Sequence, residues 1–260
     1  MGQPRVAVSR SARYPVLLHG FMGSAAAWGE GLVDGLTGAG LSPVLVDLPG
    51  HGREAGRSDA SSFTLEALLG HVGRAGDWPT DVVGYSMGGR IALHFAAAFP
   101  ERVRRLVLES ASPGLASEPE RAARRAADEA LAAELLSGGI ERFVDGWEAR
   151  PLFESRARLD AVVRARQRAL RLLNDPSALA AALRGFGTGA LPSLWGRLPD
   201  VAAPTLLVVG ALDGKFVEIA ERMARAMPDA RVVEVPHAGH TVHLERPDVW
   251  LAAVTEFLQG

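Results

Sequence analysis

Residues 81–90 read DVVGYSMGGR: two β-branched valines, then Gly84-Tyr85-Ser86-Met87-Gly88, then an apolar run over residues 91–99. Valines favour a strand and the apolar run a helix, so the stretch predicts strand, tight turn and helix with Ser86 at the apex. Gly84 and Gly88 suit that turn, because strand and helix fold back on each other where side chains would collide. Ser86 then lies at a helix N-terminus, where free N–H groups and the helix dipole favour developing negative charge.

Working outward, residues 15–18 (PVLL), 43–48 (PVLVDL), 102–108 (RVRRLVL), 205–210 (TLLVVG) and 231–235 (RVVEV) are further strand candidates, and residues 5–9 a short edge strand. Continuous apolar strands separated by helical stretches imply an α/β fold, with a mainly parallel sheet flanked by helices. Ligands bind such sheets beyond the carboxyl ends of the strands. Between residues 113 and 199 the composition changes to Ala, Arg, Leu and Glu without a strand-like run. Helices are expected there at 118–136, 140–147, 157–173 and 177–185. The chain thus divides into a core, 1–112 and 200–260, and an inserted helical lid, 113–199, whose short helices need the mouth of the core to bury their apolar faces.

At 260 residues and 48% hydrophobic, the chain can bury a full core in one α/β domain with residues left for the insertion. Lys+Arg of 28 against Asp+Glu of 30 leaves a net charge of -2, which gives no general field for nucleic acid. Nearly all of the basic side is arginine, since Lys215 is the single lysine. Cysteine is absent, which removes disulfides, thiolate metal sites and a cysteine nucleophile together. No run has the length of a membrane span and residues 1–15 lack the apolar core of a signal peptide, so a cytoplasmic monomer with no membrane partner is expected.

A serine hydroxyl becomes reactive when a histidine accepts its proton and a carboxylate orients that histidine. After later strands the chain offers Asp213, in Ala211-Leu212-Asp213-Gly214, and His240, in Pro236-His237-Ala238-Gly239-His240. Asp213 competes with a helix-capping role, and Glu109 past residues 102–108 is the other candidate acid. His237 and His243 compete with His240 as base, and the three together have a spacing that a metal site could use, although no acidic ligand is interleaved. Oxyanion donors are expected from the backbone N–H groups of Met87 and Phe21. His19 and His51 are read as loop-packing residues.

Arg90 stands one helical turn after Ser86 in an otherwise apolar helix, where a buried cation needs either an internal carboxylate or an anionic ligand. The insertion adds Arg121, Arg124 and Arg125, and then Arg164 and Arg168 on one helical face. Together with Arg90 they suit a small molecule bearing several carboxylates, since guanidinium binds carboxylate bidentately. Trp147 and Phe153 are candidates for the inner face of the insertion.

The segments LHGFMGSAAAW, VDLPGHG, GYSMGGRIAL, GWEARPLF, DGKF and PHAGHTVHLERP resemble those of the 2-succinyl-6-hydroxy-2,4-cyclohexadiene-1-carboxylate synthase family of menaquinone biosynthesis, over roughly residues 15–258. The shared superfamily pieces imply the α/β-hydrolase fold, while GYSxGGR, WExxPLF and DxKF carry the closer likeness. The resemblance implies a lyase that removes pyruvate from 2-succinyl-5-enolpyruvyl-6-hydroxy-3-cyclohexene-1-carboxylate without metal or cofactor. It implies Ser86, His240 and Asp213 as the catalytic set, Phe21 and Met87 as oxyanion donors, and Tyr85, Arg90, Arg124, Trp147 and Arg168 as substrate contacts. The same residues would also serve a serine carboxylesterase or a carbon–carbon bond hydrolase, and the same fold a non-catalytic receptor.

Overall fold

Six of the expected runs become strands in the computed structural model, which describes residues 13–57 and 59–260. They are β1 (Val16–Leu18), β2 (Val44–Val46), β3 (Thr80–Tyr85), β4 (Val103–Glu109), β5 (Thr205–Gly210) and β6 (Ala230–Val235). The edge strand expected at residues 5–9 lies outside the described residues. Every pairing is parallel, in the order β2-β1-β3-β4-β5-β6.

The helices are α1 (Glu30–Gly38), α2 (Leu65–Gly73), α3 (Met87–Ala98), α4 (Glu118–Glu148), α5 (Ala161–Leu172), α6 (Pro176–Phe186), α7 (Gly214–Ala226), α8 (Val242–Glu245) and α9 (Pro247–Gln259). Leu17, Val83, Val107 and Leu206 line up across four strands and pack against Leu32 and Leu36 of α1 and Trp250, Val254 and Leu258 of α9. One residue along, Val16, Val82 and Leu106 turn to the other face and meet Leu68 and Val72 of α2 and Ile91 and Phe95 of α3. Burial on both faces explains why residues 16–18, 82–83, 106–108 and 206–209 are continuously apolar, and each such side chain contributes roughly 1.5–3 kcal/mol.

Strand order reverses between β1 and β3, so the loops leaving their carboxyl ends diverge and open a crevice. Gly20 and Ser86 are brought together there: a Cβ on Gly20 would lie 2.7 Å from the Tyr85 ring and 3.6 Å from Ser86 Cβ.

Although β4 and β5 are hydrogen-bonded neighbours, the chain between them forms α4, α5, α6 and the 3₁₀ segments Pro151–Arg158 and Trp195–Asp200. A break in α4 at Gly139, with φ 77° and ψ 173°, separates the two helices expected there. α5 begins at Ala161, later than the expected 157, because Asp160 caps it through the Val162 N–H at 2.7 Å. A third apolar cluster joins Ala132, Leu135, Phe143 and Val144 of α4 and Leu179 and Leu183 of α6 to Met22, which follows β1. That cluster seats the insertion over the crevice. Among the described residues no helix is long and apolar enough to cross a membrane.

Candidate active site

Ser86 occupies the turn between β3 and α3 with φ 51° and ψ -109°, a left-handed conformation costly for a side-chain-bearing residue. The surrounding glycines let the turn close. A Cβ on Gly84 would lie 2.5 Å from the Gly88 carbonyl oxygen, and one on Gly88 would strike the Leu18 and His19 carbonyl oxygens. The Ser86 N–H donates to the Glu109 carbonyl oxygen at 2.8 Å, so β4 braces the turn.

Loops after β5 and β6 deliver the partners. His240 Nε2 lies 3.0 Å from Ser86 Oγ, and His240 Nδ1 lies 2.6 Å from Asp213 Oδ2. With Nδ1–H donating to the carboxylate, Nε2 is left to accept the serine proton. Asp213 sits at the start of α7 but makes no side-chain cap there, so its carboxylate is committed to the imidazole.

The competing residues have other partners. Glu109 is fully buried and holds His243, whose Nδ1 is 2.8 and 2.9 Å from its two oxygens and whose backbone N–H donates to it at 3.1 Å. His237 is exposed on a turn with φ 63°. The three histidines therefore point to three environments, and among the described residues no cluster of metal-ligating side chains forms. His19 donates from Nδ1 to the Gly20 carbonyl at 2.8 Å and accepts the Leu48 N–H on Nε2 at 3.0 Å, which makes it a loop staple. His51 is also fully buried, 5.2 Å from the His19 ring, with Nδ1 on the Pro49 carbonyl at 3.0 Å.

Ser86 and His240 open onto a cavity of about 340 Å³, lined also by Phe21, Met87, Trp147 and Phe153. Three cations line it, Arg90, Arg124 and Lys215, and none of its described lining residues is Asp or Glu. Arg90 is 7% exposed; Nη2 reaches the Phe186 carbonyl at 3.4 Å, and Nε has no partner. Burial, with the nearby Arg124 charge, pushes the Arg90 guanidinium down to about 10, against a smaller opposing pull from Asp128. Arg124 is oriented by Asp128, Nε to Oδ1 at 2.7 Å. Trp147 packs against Phe21 at 5.2 Å and carries the Arg150 guanidinium 4.5 Å over its ring.

Two expected substrate contacts lie elsewhere. Arg168 does not reach this cavity. Its guanidinium is held by Asp145 at 2.6 Å and Glu148 at 3.1 Å and lines a separate open groove. Tyr85 lines a neighbouring small cavity of about 30 Å³ with Gly20, His243, Arg156 and Arg171. Its hydroxyl is 3.5 Å from Thr241 Oγ1, and burial pushes the phenol up to about 12. Arg171 is the cation that sequence reasoning missed: it is 7% exposed, paired with Glu148 at 2.7 Å and pushed down to about 10 by burial and by Arg156. The i, i+4 spacing of Gln167 and Arg171 was the available signal, obscured by arginines around the whole helix. Lys215 was equally readable as the only lysine beside the acid.

A family profile described as alpha/beta hydrolase fold matches residues 16–247. The chain is 38% identical, over 99% of both sequences, to a Bacillus subtilis relative named as a 2-succinyl-6-hydroxy-2,4-cyclohexadiene-1-carboxylate synthase. It is 32% identical to the synthase of that name from Enterobacter sp., across 94% of this chain and 91% of the relative. The solved structure of MenH from S. aureus superposes with a TM-score of 0.91 at 35% identity, covering 97% of this chain and 96% of that one. The enol-lactonase from Burkholderia xenovorans, at 23% identity and a TM-score of 0.77, shares the fold.

Proposed function

Because the chain belongs to the 2-succinyl-6-hydroxy-2,4-cyclohexadiene-1-carboxylate synthase family of α/β hydrolases, we propose that it eliminates pyruvate from 2-succinyl-5-enolpyruvyl-6-hydroxy-3-cyclohexene-1-carboxylate, with Ser86 as the base. The observation that carries this reading is a serine–histidine pair facing three cations and no described carboxylate. A ligand with three carboxylates matches such a wall, whereas a neutral ester would leave Arg90 buried and unpaired. The alternative hydrolase reading explains the serine, histidine and aspartate but not the cationic wall. A non-catalytic receptor would need none of the three aligned.

In the proposed reaction, His240 takes the Ser86 hydroxyl proton while Asp213 stabilises the imidazolium. The serine oxygen removes a proton from the ring carbon, and that C–H electron pair forms the new double bond as the bond to the enolpyruvyl oxygen breaks. The leaving enolate is protonated by the imidazolium and becomes pyruvate, which returns Ser86 and His240 to their starting forms. Charge spreading onto the substrate's carbonyl or carboxylate is met by the N–H groups of Met87 and Phe21, donors of a kind worth roughly 3 kcal/mol each. Arg90, Arg124 and Lys215 hold carboxylates and Trp147 packs on the ring. Arg171, beside Tyr85, serves with Arg156 as a cation of the smaller cavity, which Arg168 does not line. The insertion acts as the lid of the site, and the scheme uses no metal or cofactor.

The test is coupled detection of pyruvate from the enolpyruvyl substrate. Wild-type protein is expected to release it, and Ser86→Ala to lose at least about 10³-fold in rate with an unchanged melting temperature. An acyl-enzyme burst with activated esters and no pyruvate release would instead make the protein a hydrolase.

A further inference from the structure

One acid stands behind the cationic wall without lining the cavity itself. Asp128 of α4 is 2% exposed, while Arg124, about one helical turn before it, lines the cavity. Arg124 Nε donates to Asp128 Oδ1 at 2.7 Å, the one hydrogen bond of that guanidinium among the described residues. Because the carboxylate takes only Nε, both terminal nitrogens are left for a second carboxylate, met end-on.

Asp128 is buried this deeply because glycines let α4 approach the chain that follows α6. A Cβ on Gly187 would lie 2.6 Å from Asp128 Oδ2, and one on Gly189 would lie 2.6 Å from the Arg125 backbone nitrogen. Gly187 follows Phe186, whose carbonyl oxygen receives Arg90 Nη2 at 3.4 Å. Asp128 and Arg90 thus approach the same corner, yet Asp128 Oδ2 and Arg90 Nε are both buried without a partner. The two guanidiniums repel each other: the Arg124 charge works with burial to lower Arg90, and the Asp128 charge opposes them. The Arg124 side chain is 39% exposed, so with nothing to hold it, repulsion and rotamer freedom carry it toward solvent.

We propose that Asp128 is a positioning residue for substrate recognition: by taking Nε of Arg124, it keeps that guanidinium in the cavity beside Arg90 with its terminal nitrogens free for a ligand carboxylate. One buried acid thereby sets the spacing of a core cation and an insertion cation, and selects ligands whose carboxylates match it. The kinetic consequence rests on the reaction proposed above; the binding consequence does not.

The sign of the change in KM separates this role from a simple effect of charge. Acting only through its field, Asp128 would weaken the pull of the wall on an anion, so neutralising it would lower KM. As a positioning residue, its loss releases Arg124 and raises KM. The experiment measures pyruvate release by the intact protein and by Asp128→Asn, Arg124→Ala, Arg124→Lys and the Asp128→Asn/Arg124→Ala double variant. Asp128→Asn is expected to raise KM about tenfold with kcat within about threefold. The double variant should be no worse than Arg124→Ala alone. Lysine should recover little, since a single ammonium has no separate edges for Asp128 and for the ligand. Calorimetry with citrate, a tricarboxylate that the reaction does not consume, reads the wall without turnover, and Asp128→Asn should bind it about tenfold more weakly than wild type. A lower or unchanged KM in Asp128→Asn, additive losses in the double variant, or equal citrate affinity would overturn the proposal, as would wild-type protein that takes up no citrate. If wild type binds citrate but releases no pyruvate, the lyase reading falls while the citrate comparison still decides the role of Asp128. Should Asp128→Asn fail to fold, Arg124→Lys, changed at a part-exposed side chain, takes its place: a KM near that of Arg124→Ala upholds the need for a held fork, and a wild-type KM overturns it.

Discussion

The buried guanidinium of Arg90 reaches the main-chain oxygen of Phe186 at 3.4 Å and forms no ion pair with a described carboxylate. Asp128, the acid nearest in its electrostatics, is occupied by Arg124. A cation left in this state raises the free energy of the empty site and lowers it when an anion arrives. Phe186 and Arg124 belong to the insertion, so core and insertion each present one guanidinium to the same cavity.

Replacing Arg90 by alanine is therefore expected to reduce kcat/KM for the tricarboxylate about a hundredfold, the loss of one charge-assisted pair. Turnover of an uncharged activated ester, where measurable, should change less than about threefold. Equal losses with both substrates would remove Arg90 from carboxylate recognition.

Two buried carboxylates lie near Ser86, and they are expected to fail differently. Asp213→Asn should depress pyruvate release by about 10³-fold or more while melting near the wild-type temperature, because the amide cannot hold the imidazole in the same tautomer. Glu109→Gln should keep kcat within about fivefold but cost on the order of 3 kcal/mol, because His243 loses a carboxylate that accepts from both its ring and its backbone N–H in a closed site. Denaturant titration and steady-state kinetics on the pair separate the two roles.

On α5, neighbouring arginines give a contrast of position. Arg171→Ala should raise KM about tenfold or more, since the side chain lies beside Tyr85 in the smaller cavity. Arg168→Ala should leave KM within about twofold, because it gives up only half-exposed pairs to Asp145 and Glu148. The reverse order would restore Arg168 to the substrate.

Acid should destabilise the fold before it titrates most carboxylates. Burial pushes His19 from 6.5 to about 4, His51 to about 3 and His94 to about 4, so all three are neutral in the native protein. The unfolded chain takes up protons near pH 6.5 that the native state refuses. Stability is thus complete above pH 6.5 and falls as pH drops through the window toward 4 and 3. With three such groups the slope approaches roughly 4 kcal/mol per pH unit. Urea unfolding at several pH values between neutral and mildly acidic measures it; a flat profile would mean that none of these imidazoles is held neutral by the fold.

Much of this was legible in the chain. The run around Ser86 announces its turn because glycines at 84 and 88 and the valines before them leave few other conformations. Asp213 and His240 announce themselves by following strands in short turns. The strand starts and ends move by a residue or two, since hydrogen bonding to neighbours sets them. In the insertion the sequence was weaker: Ala, Arg and Leu favour helix at almost every position, so the helices were readable but not which face each presents. That ambiguity is why the sequence pointed to Arg168 on α5 while the structure buries Arg171 there beside Tyr85.

By itself, the sequence determined an α/β architecture, the candidate serine and its two hydrogen-bonded partners, and a surplus of arginine suited to carboxylates. Those are properties of local pattern, which chain chemistry dictates at short range. Only the tertiary structure decided which acid meets which histidine, that Arg90 stays without a carboxylate, and that Arg124 comes to line the same cavity as Arg90. Such pairings join residues up to 154 positions apart in the chain, as Ser86 and His240 are. They are set by the order in which the strands pair and by how the insertion packs on Met22, which no local pattern encodes.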